Sequence, residues 1–572
     1  MDCLFKLKTR NIEQQHSQKL IENGIHPLLS RLLSSRGIEQ LIDIHYEWIS
    51  LLNPIKLNQI EKASKFLANS IINNKRILIV ADYDCDGATA CAVGIRGLRS
   101  MGGNVDFIVP NRFNNNYGLT PEIIKQACEK SNTKPDIIIT VDNGIASVEG
   151  VEYAKKIGID VIITDHHLPG KILPNALAII NPNNQGCNFP SKNLSGVGVI
   201  FYLMIHLRSE MRNNGTYNKD TAPKLNELVD LVALGTIADL VKLDKNNRLL
   251  VTQGLKRIRL NNTHPGIKAL FRISNKNIEN ATTSDLGFSI APKINAAGRL
   301  SDMSLGIHCL ITNDYNEAMK IANKLNEINN ERKNIQEKTN LQAIKEINTY
   351  RSDLKYSICL ANDNWNHGIV GLVSSKLKEK YWKPSIAFAP SNDLELKGSG
   401  RSVNGINIKD ILDLISKNYP GVIKQFGGHA MAVGLTINKN NFQKFTFAFE
   451  EIVKNLTKNN QPEAIIENDG SLEIEFANVE TANLLKKQVW GSGFEEPVFI
   501  DNFEVISQKL INDKHLKLSI KRNNKIFDAI CFDHKEVNYK HIKAVYKLDI
   551  NVWNGASNLQ LVIQLIIPNK NN

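Results

Sequence analysis

The pattern of apolar and polar positions changes character four times along the 572 residues. Residues 1–70 read as helical and irregular, and no chemistry attaches to them. From residue 71, short β-branched runs at Arg76–Ala81, 105–109, 136–141, Asp160–Thr164 and 176–180 alternate with helical spacing. Thr120 offers an N-cap before one of those helices, with Pro121 as its first residue. Near-continuous apolar strands separated by helices predict a doubly wound parallel sheet covered on both faces, with ligands bound at the strands' carboxyl ends. Residues 226–240 are apolar nearly all round, which predicts a buried helix.

Tyr315–Tyr350 is one unbroken helical pattern. Ala318, Ile321, Ala322, Leu325, Ile328 and Ile335 recur at threes and fours, and neither Pro nor Gly interrupts them. It reads as a rigid connector between two lobes. A second α/β segment is expected over 351–458, with strands at 357–360 and 384–388 and a helix at 368–381. The tail, 459–572, predicts short strands at 503–510, 516–520, 525–532, 544–552 and 559–567, which suit a small barrel. The fold class is therefore α/β, with a parallel-sheet domain at 71–314, a connecting helix at 315–350, a second α/β domain and a C-terminal β-barrel.

Composition narrows the class. With 42% hydrophobic and 22% charged residues, disordered and fibrous proteins are excluded. No run approaches the ~20 apolar residues of a membrane helix, and no apolar segment follows residues 1–10 as a secretory signal would require. A cytoplasmic protein with no membrane attachment is expected. The net charge of +12 favours an anionic partner, nucleic acid first, although over-use of Lys, Asn and Ile throughout the chain weakens that inference. The eight cysteines contain no C-x-x-C pair and read as reduced, buried small hydrophobes.

Chemistry concentrates at the ends of the predicted strands. The first ends in Asp82, Asp84 and Asp86, the third in Asp142-Asn143-Gly144, and the fourth in Asp165-His166-His167. The buried helix ends in Gly235-Thr236-Ile237-Ala238-Asp239. A single Asp after a strand is ordinarily a helix cap, and Asp160, ahead of its strand, fits a turn. Four acidic tips in order, one followed by His-His, do not fit that explanation. In a parallel sheet they would meet at one edge, where like charges repel and carboxyl pKa values climb. Divalent cations resolve the repulsion. Oxygen-rich ligands with one or two His suit Mg²⁺ or Mn²⁺, and paired ions ~3.5–4 Å apart serve phosphodiester hydrolysis.

These four motifs resemble, in order, those of the DHH phosphoesterase superfamily. The resemblance continues in Asn111-Arg112 with Tyr117-Gly118-Leu119, and in Pro292-Lys293-Ile294-Asn295-Ala296-Ala297-Gly298-Arg299. Three further motifs resemble the DHH-associated domain: Asn366-His367-Gly368-Ile369-Val370-Gly371, Lys397-Gly398-Ser399-Gly400-Arg401-Ser402 and Gly427-Gly428-His429. Gly491-Ser492-Gly493-Phe494-Glu495-Glu496-Pro497 stands where such chains pass into an OB-fold barrel. Lys293 and Val433 are small departures from the family's pattern.

The resemblance implies a metal-dependent exonuclease that degrades single-stranded DNA 5′→3′ to 5′-mononucleotides in recombination and repair. Asp84, Asp86, Asp142, His166 and Asp239 would be ligands for two ions, Mn²⁺ or Mg²⁺, with Asp142 bridging. The D-x-D-x-D spacing leaves open whether Asp82 binds metal or stands behind a ligand. Among the catalytic candidates Asp142, Asp165 and His167, the last would contact the scissile phosphate or protonate the leaving group. Asp165 would orient the histidines. Arg112 and Arg299 would grip a terminal phosphate through guanidinium forks. Ser399 and Arg401 would cradle phosphate from a Gly-flanked loop, and His429 would contact phosphate or base. From Asp501 onward cations outnumber carboxylates eleven to seven, with Phe503, Phe527, Phe532, Tyr539 and Tyr546 interleaved. OB-folds bind single strands with such surfaces, though most of these rings should be barrel core. The implied partners are a single strand with a 5′ end, single-strand-binding protein and a helicase, met by a monomer. Two alternatives stand beside this: a nanoRNase or cyclic-dinucleotide phosphodiesterase of the same superfamily, and a non-catalytic DNA-binding scaffold.

Overall fold

The computed structural model describes residues 5–111, 118–130, 134–350, 355–458, 462–553 and 555–568. Phe5–Thr9 (β1) pairs with Ala464–Asn468, introduced below as β12. The chain then divides into two compact units. One gathers Thr9–Gly298, Asp302–Asn326 and Glu467–Asn572, and the other consists mainly of Glu327–Ile466.

The first unit is built on a five-stranded sheet of Arg76–Ala81 (β2), Asn104–Ile108 (β3), Ile137–Val141 (β4), Asp160–Thr164 (β5) and Ala178–Ile180 (β6). Its order is β3-β2-β4-β5-β6, and every pairing is parallel. Side chains alternate between two cores, as a period of two requires. Ile77, Ile79, Ile137, Ile139 and Ile162 enter one apolar cluster, whereas Val80, Ile138, Val161 and Ile163 enter another. The strand order reverses between β2 and β4, and that switch point opens a crevice beyond their carboxyl ends.

Helices Cys85–Ser100, Gly196–Asn213 and Val229–Ala238 cover one face, and the last is buried from Val229 to Ile237. The N-terminal helices Gln14–Glu22, Pro27–Ser34 and Ile60–Ile72 join the same core through Leu20, Leu32 and Leu67. They are tied to the C-terminal part by Arg36, whose guanidinium donates to both carboxylate oxygens of Asp469 at 2.8 and 3.0 Å, with both side chains buried.

The second unit carries Ile358–Ala361 (β7), Ser385–Pro390 (β8), Glu395–Arg401 (β9), Gln425–Gly428 (β10) and Ala432–Asn438 (β11). The order is β10-β11-β9-β8-β7, parallel only between β7 and β8. The sequence reading placed Ser399 and Arg401 in a loop. They lie instead on β9, paired along both edges. Its glycines serve packing: a Cβ on Gly398 would lie 2.4 Å from the Phe388 ring, and one on Gly400 would lie 2.7 Å from Val433. With the strand paired on both sides, its backbone does not form the expected phosphate cradle.

The helix Tyr315–Tyr350 spans the expected residues without a break. Ala464–Asn468 (β12) precedes a closed barrel of Phe499–Ile511 (β13), His515–Arg522 (β14), Lys525–Cys531 (β15), His541–Trp553 (β16) and Ala556–Pro568 (β17), ordered β13-β14-β15-β17-β16. Phe503, Phe527 and Tyr546 fill it, while Phe532 and Tyr539 face solvent. Among the described residues the cysteines are free and mostly buried, and no helix is long and apolar enough to cross a membrane.

Candidate metal centre

The acidic tips do converge. Asp82, Asp84 and Asp142 each offer a carboxylate oxygen, and the three oxygens lie within 4.8 Å of one another. Asp86, His166 and Asp239 form a second such group, and Asp142, His166 and His167 a third. Asp142 and His166 thus belong to two groups each.

Local folding explains each placement. Asp84 is the N-cap of helix Cys85–Ser100, its Oδ1 accepting from Gly87 N at 3.0 Å. A cap and a ligand are compatible here, because the second carboxylate oxygen remains to face the crevice. The fully buried Asp86 accepts from Gly196 N at 2.6 Å and Val197 N at 3.0 Å, the first donors of helix Gly196–Asn213. Asp142 has a left-handed backbone, φ 62°, which turns β4 sharply at its tip. Two glycines allow the crowding. A Cβ on Gly196 would lie 2.5 Å from the Asp142 side chain, and one on Gly235 would lie 2.7 Å from Asp86 Oδ1.

The carboxylates strain one another electrostatically. Asp142 and Asp239 are held well above the usual carboxyl range, by burial first and then by facing carboxylates, Asp86 foremost. Asp86 is pushed up to about 7 by burial and by Asp84, against the opposing helix N–H bonds. His166 is lowered to about 4 by burial and by neighbouring His167, so its ring is neutral and able to donate a lone pair. Its Nε2 lies 3.1 Å from Asp142 Oδ1 and 3.5 Å from Asp239 Oδ2, yet makes no hydrogen bond. Buried oxygens that repel one another beside a neutral imidazole are a donor set that a divalent cation completes.

His167 has a different environment. Its Nδ1 lies 2.7 Å from Asp165 Oδ1, and although burial opposes the charge, this partner raises the ring to about 9. Asp165 is fully engaged, also accepting from the backbone N–H groups of Ile145, His166 and His167. Burial of Asp165 is outweighed by His167, and its carboxyl sits below the ordinary range. It orients His167 and leaves that ring able to hand over a proton.

Several positioning groups escaped the sequence reading. Asn181 Nδ2 donates to the His167 carbonyl at 2.9 Å, and Asn183 Nδ2 to that of His166 at 2.6 Å. Both follow β6, whose tip carries no acidic residue, so the tip rule passed over them. Asn295 Oδ1 accepts from Cys85 N at 2.9 Å, which ties the Pro292–Arg299 motif to the first acidic loop.

Among the residues proposed for the 5′ phosphate, Arg112 lies outside the described residues. Arg299, Ser399 and Arg401 all belong to the second unit. Arg299 Nη1 donates to the Gly368 carbonyl at 3.2 Å, and Arg401 Nη1 to Ser399 Oγ at 3.0 Å. A Cβ on Gly371 would lie 3.0 Å from Ser399 Oγ and 3.2 Å from Arg401 Nη2. His429 is exposed on the β10–β11 hairpin, where its N–H donates to Ala432 O, and Ala432 pairs with Arg401.

A doubly wound sheet whose edge assembles an Asp-x-Asp-x-Asp run, a second Asp and a His-His pair defines the DHH class. Residues 76–236 match the DHH family N-terminal domain, 353–455 the DHHA1 domain and 468–565 the RecJ OB domain. Over 556 residues the chain is 41% identical to the single-stranded-DNA-specific exonuclease RecJ of Escherichia coli, covering 95% of this chain and 96% of that protein. The RecJ of Haemophilus influenzae is 42% identical over 557 residues, with the same coverage of 95% and 96%. The chain belongs to the RecJ family. Its fold is shared by Thermus thermophilus RecJ in complex with Mn²⁺, at a TM-score of 0.81 and 23% identity over 99% of this chain and 80% of that one. A solved exonuclease RecJ bound to manganese is 29% identical, with a TM-score of 0.58, over 69% of this chain and 94% of that one.

Proposed function

We propose that the chain is a divalent-metal-dependent exonuclease that shortens single-stranded DNA from its 5′ end, releasing 5′-mononucleotides in DNA recombination and repair. The observation that carries this reading is the gathering of Asp82, Asp84, Asp86, Asp142, His166 and Asp239 at one sheet edge. Family membership with exonucleases named as specific for single-stranded DNA supports it.

Asp84, Asp86, Asp142, His166 and Asp239 hold the cations. Asp82 accepts from the N–H of Tyr83 and stands in one group with Asp84 and Asp142. When bound, Mn²⁺ or Mg²⁺, two ions in this reading, supplies Lewis acidity and water activation for phosphodiester hydrolysis. His167, charged and steadied by Asp165, donates a proton to the departing oxygen. Arg299, Ser399 and Arg401 hold the 5′ phosphate, Arg112 shares that role, and His429 touches phosphate or base. The enzyme works as a cytoplasmic monomer, with single-strand-binding protein and a helicase exposing its substrate.

The test compares purified protein with Mn²⁺ on single strands labelled at either end. A 5′ label should appear as mononucleotide from the first turnover, and a 3′ label only when a strand is consumed. Blunt duplex should resist. Equal release from both ends, or hydrolysis of dinucleotides alone, would overturn the reading.

A further inference from the structure

We propose that Phe288 and Leu240 form an apolar platform on which an unpaired base of the DNA strand stacks beside the metal centre. This rests on the exonuclease reading above. The two side chains are among the most exposed large hydrophobics of the chain, at 81% and 69%.

Leu240 directly follows the ligand Asp239, which caps helix Val229–Ala238. Its backbone is left-handed, φ 60°, at the position after a helix where glycine is the usual residue. A leucine there bears conformational strain and projects its side chain into solvent. Neither feature helps folding. Phe288 is the middle residue of a π-helical turn, Leu286–Ile290, a rare geometry that occurs most often at functional sites. That turn is held firmly: Lys293, itself buried, donates from Nζ to the Ser289 carbonyl at 2.8 Å.

Both residues stand beside Ile237, near the C-terminal end of the same helix. Gly287 approaches so closely that a Cβ there would lie 3.3 Å from Ile237 Cγ2, and the Leu240 N–H bonds to the Ile237 carbonyl. Leu240 is thus joined directly along the chain to Asp239 of the metal centre. That continuity selects the occupant. A strand presenting a phosphate to Asp239 brings its bases within reach of the neighbouring surface. Both side chains are hydrocarbon only, so they grip any base face and read no base edge, as an exonuclease that must digest every sequence requires.

The experiment uses the full chain with Mn²⁺ and 5′-phosphorylated single strands carrying one abasic site at successive positions from the 5′ end. Loss of the base at one position should raise the parent KM about tenfold, the scale of a lost stacking contact. Phe288→Ala should raise KM on intact DNA by a similar factor and be indifferent to that abasic site. Phe288→Tyr should restore the parent pattern. Leu240→Gly should raise KM severalfold with an unchanged or higher Tm, because glycine accepts the backbone angle. Parental KM in both Phe288→Ala and Leu240→Gly overturns the platform, as does a Phe288→Ala defect that adds equally to every abasic position. A parent inactive on intact single strands overturns the exonuclease reading itself, and the platform with it.

Discussion

Helix Val229–Ala238 carries an aspartate at each end, one buried and one partly open, and the two could hardly be treated more differently. Asp230, near the N-terminus, is fully buried, and every lone pair finds a partner. Its Oδ2 accepts from Thr263 Oγ1 at 2.6 Å and His264 N at 2.9 Å, its Oδ1 accepts from Leu231 N at 2.8 Å, and His264 Nδ1 lies 2.9 Å from both oxygens. The positive end of the helix dipole adds to this. Burial is therefore outweighed by His264 and the hydroxyl, and the carboxyl lies below its ordinary range. Asp239 sits at the negative end, faces Asp86 and Asp84, and is driven well above that range. One carboxylate is completed by the chain; the other needs a cation from outside. The contrast separates a structural acid from a functional one by whether the chain supplies its partners.

Breaking the incomplete end should have the largest effect. Asp239→Asn or Asp142→Ala should lower single-strand hydrolysis at least about a thousandfold, while gel-shift binding of DNA persists. Metal-free Tm should rise in Asp239→Asn, because a repelling charge is gone. Parental turnover would erase the distinction. At the other end, Asp230→Ala should lower stability by about 3 kcal/mol by leaving His264 and Thr263 unanswered, with turnover retained below the new Tm. A depressed carboxyl contributes stability above its unfolded pKa and loses it as pH falls through the folded value. The parent and Asp230→Ala melting curves should therefore draw together below about pH 4. Next in size, Mn²⁺ at about 100 times its Kd should stabilise the parent and Asp230→Ala by about 2.7 kcal/mol each, and Asp239→Asn far less. Calorimetric scans with and without metal would decide.

Much of this was readable from the chain because parallel strands place ligands by a rule. β5 was expected at Asp160–Thr164 and the long helix at Tyr315–Tyr350, and both hold to the residue. The four acidic motifs needed only that the strands be parallel for their tips to meet. The second unit was less legible. Lys397–Arg401 looks like a loop because it is rich in glycine, but those glycines make room for Phe388 and Val433 across a sheet. Strands β9 to β11 have short or glycine-broken apolar runs, and their pairing is set by neighbours far along the chain. The twin groups at Asp230 and His264 were silent for a related reason: a satisfied buried pair has no spacing signature.

The smallest effect concerns the histidines, where both kinds of environment stand side by side. The His167 ring is answered by Asp165, whereas Nε2 of His166 is aimed at carboxylates and is completed only by metal. The direction of His166 depends on a ring bond to the Leu194 main chain and on its own backbone, whose carbonyl Asn183 grips at 2.6 Å. Asn183→Ala leaves the ring, its neutral state and its neighbours in place and removes only the grip. The ring can then tilt away from Asp142 and Asp239, so ordering it on the ion becomes part of the binding step. The Mn²⁺ concentration for half-maximal activity should rise about tenfold, as when a group supporting a metal ligand is lost, and turnover should recover at saturating metal. Asn183→Asp cannot donate that hydrogen bond and should behave no better than alanine. If the Mn²⁺ midpoint does not move, packing and the Leu194 bond hold His166 without Asn183, and the boundary between completed and incomplete groups runs through the ring rather than through its backbone.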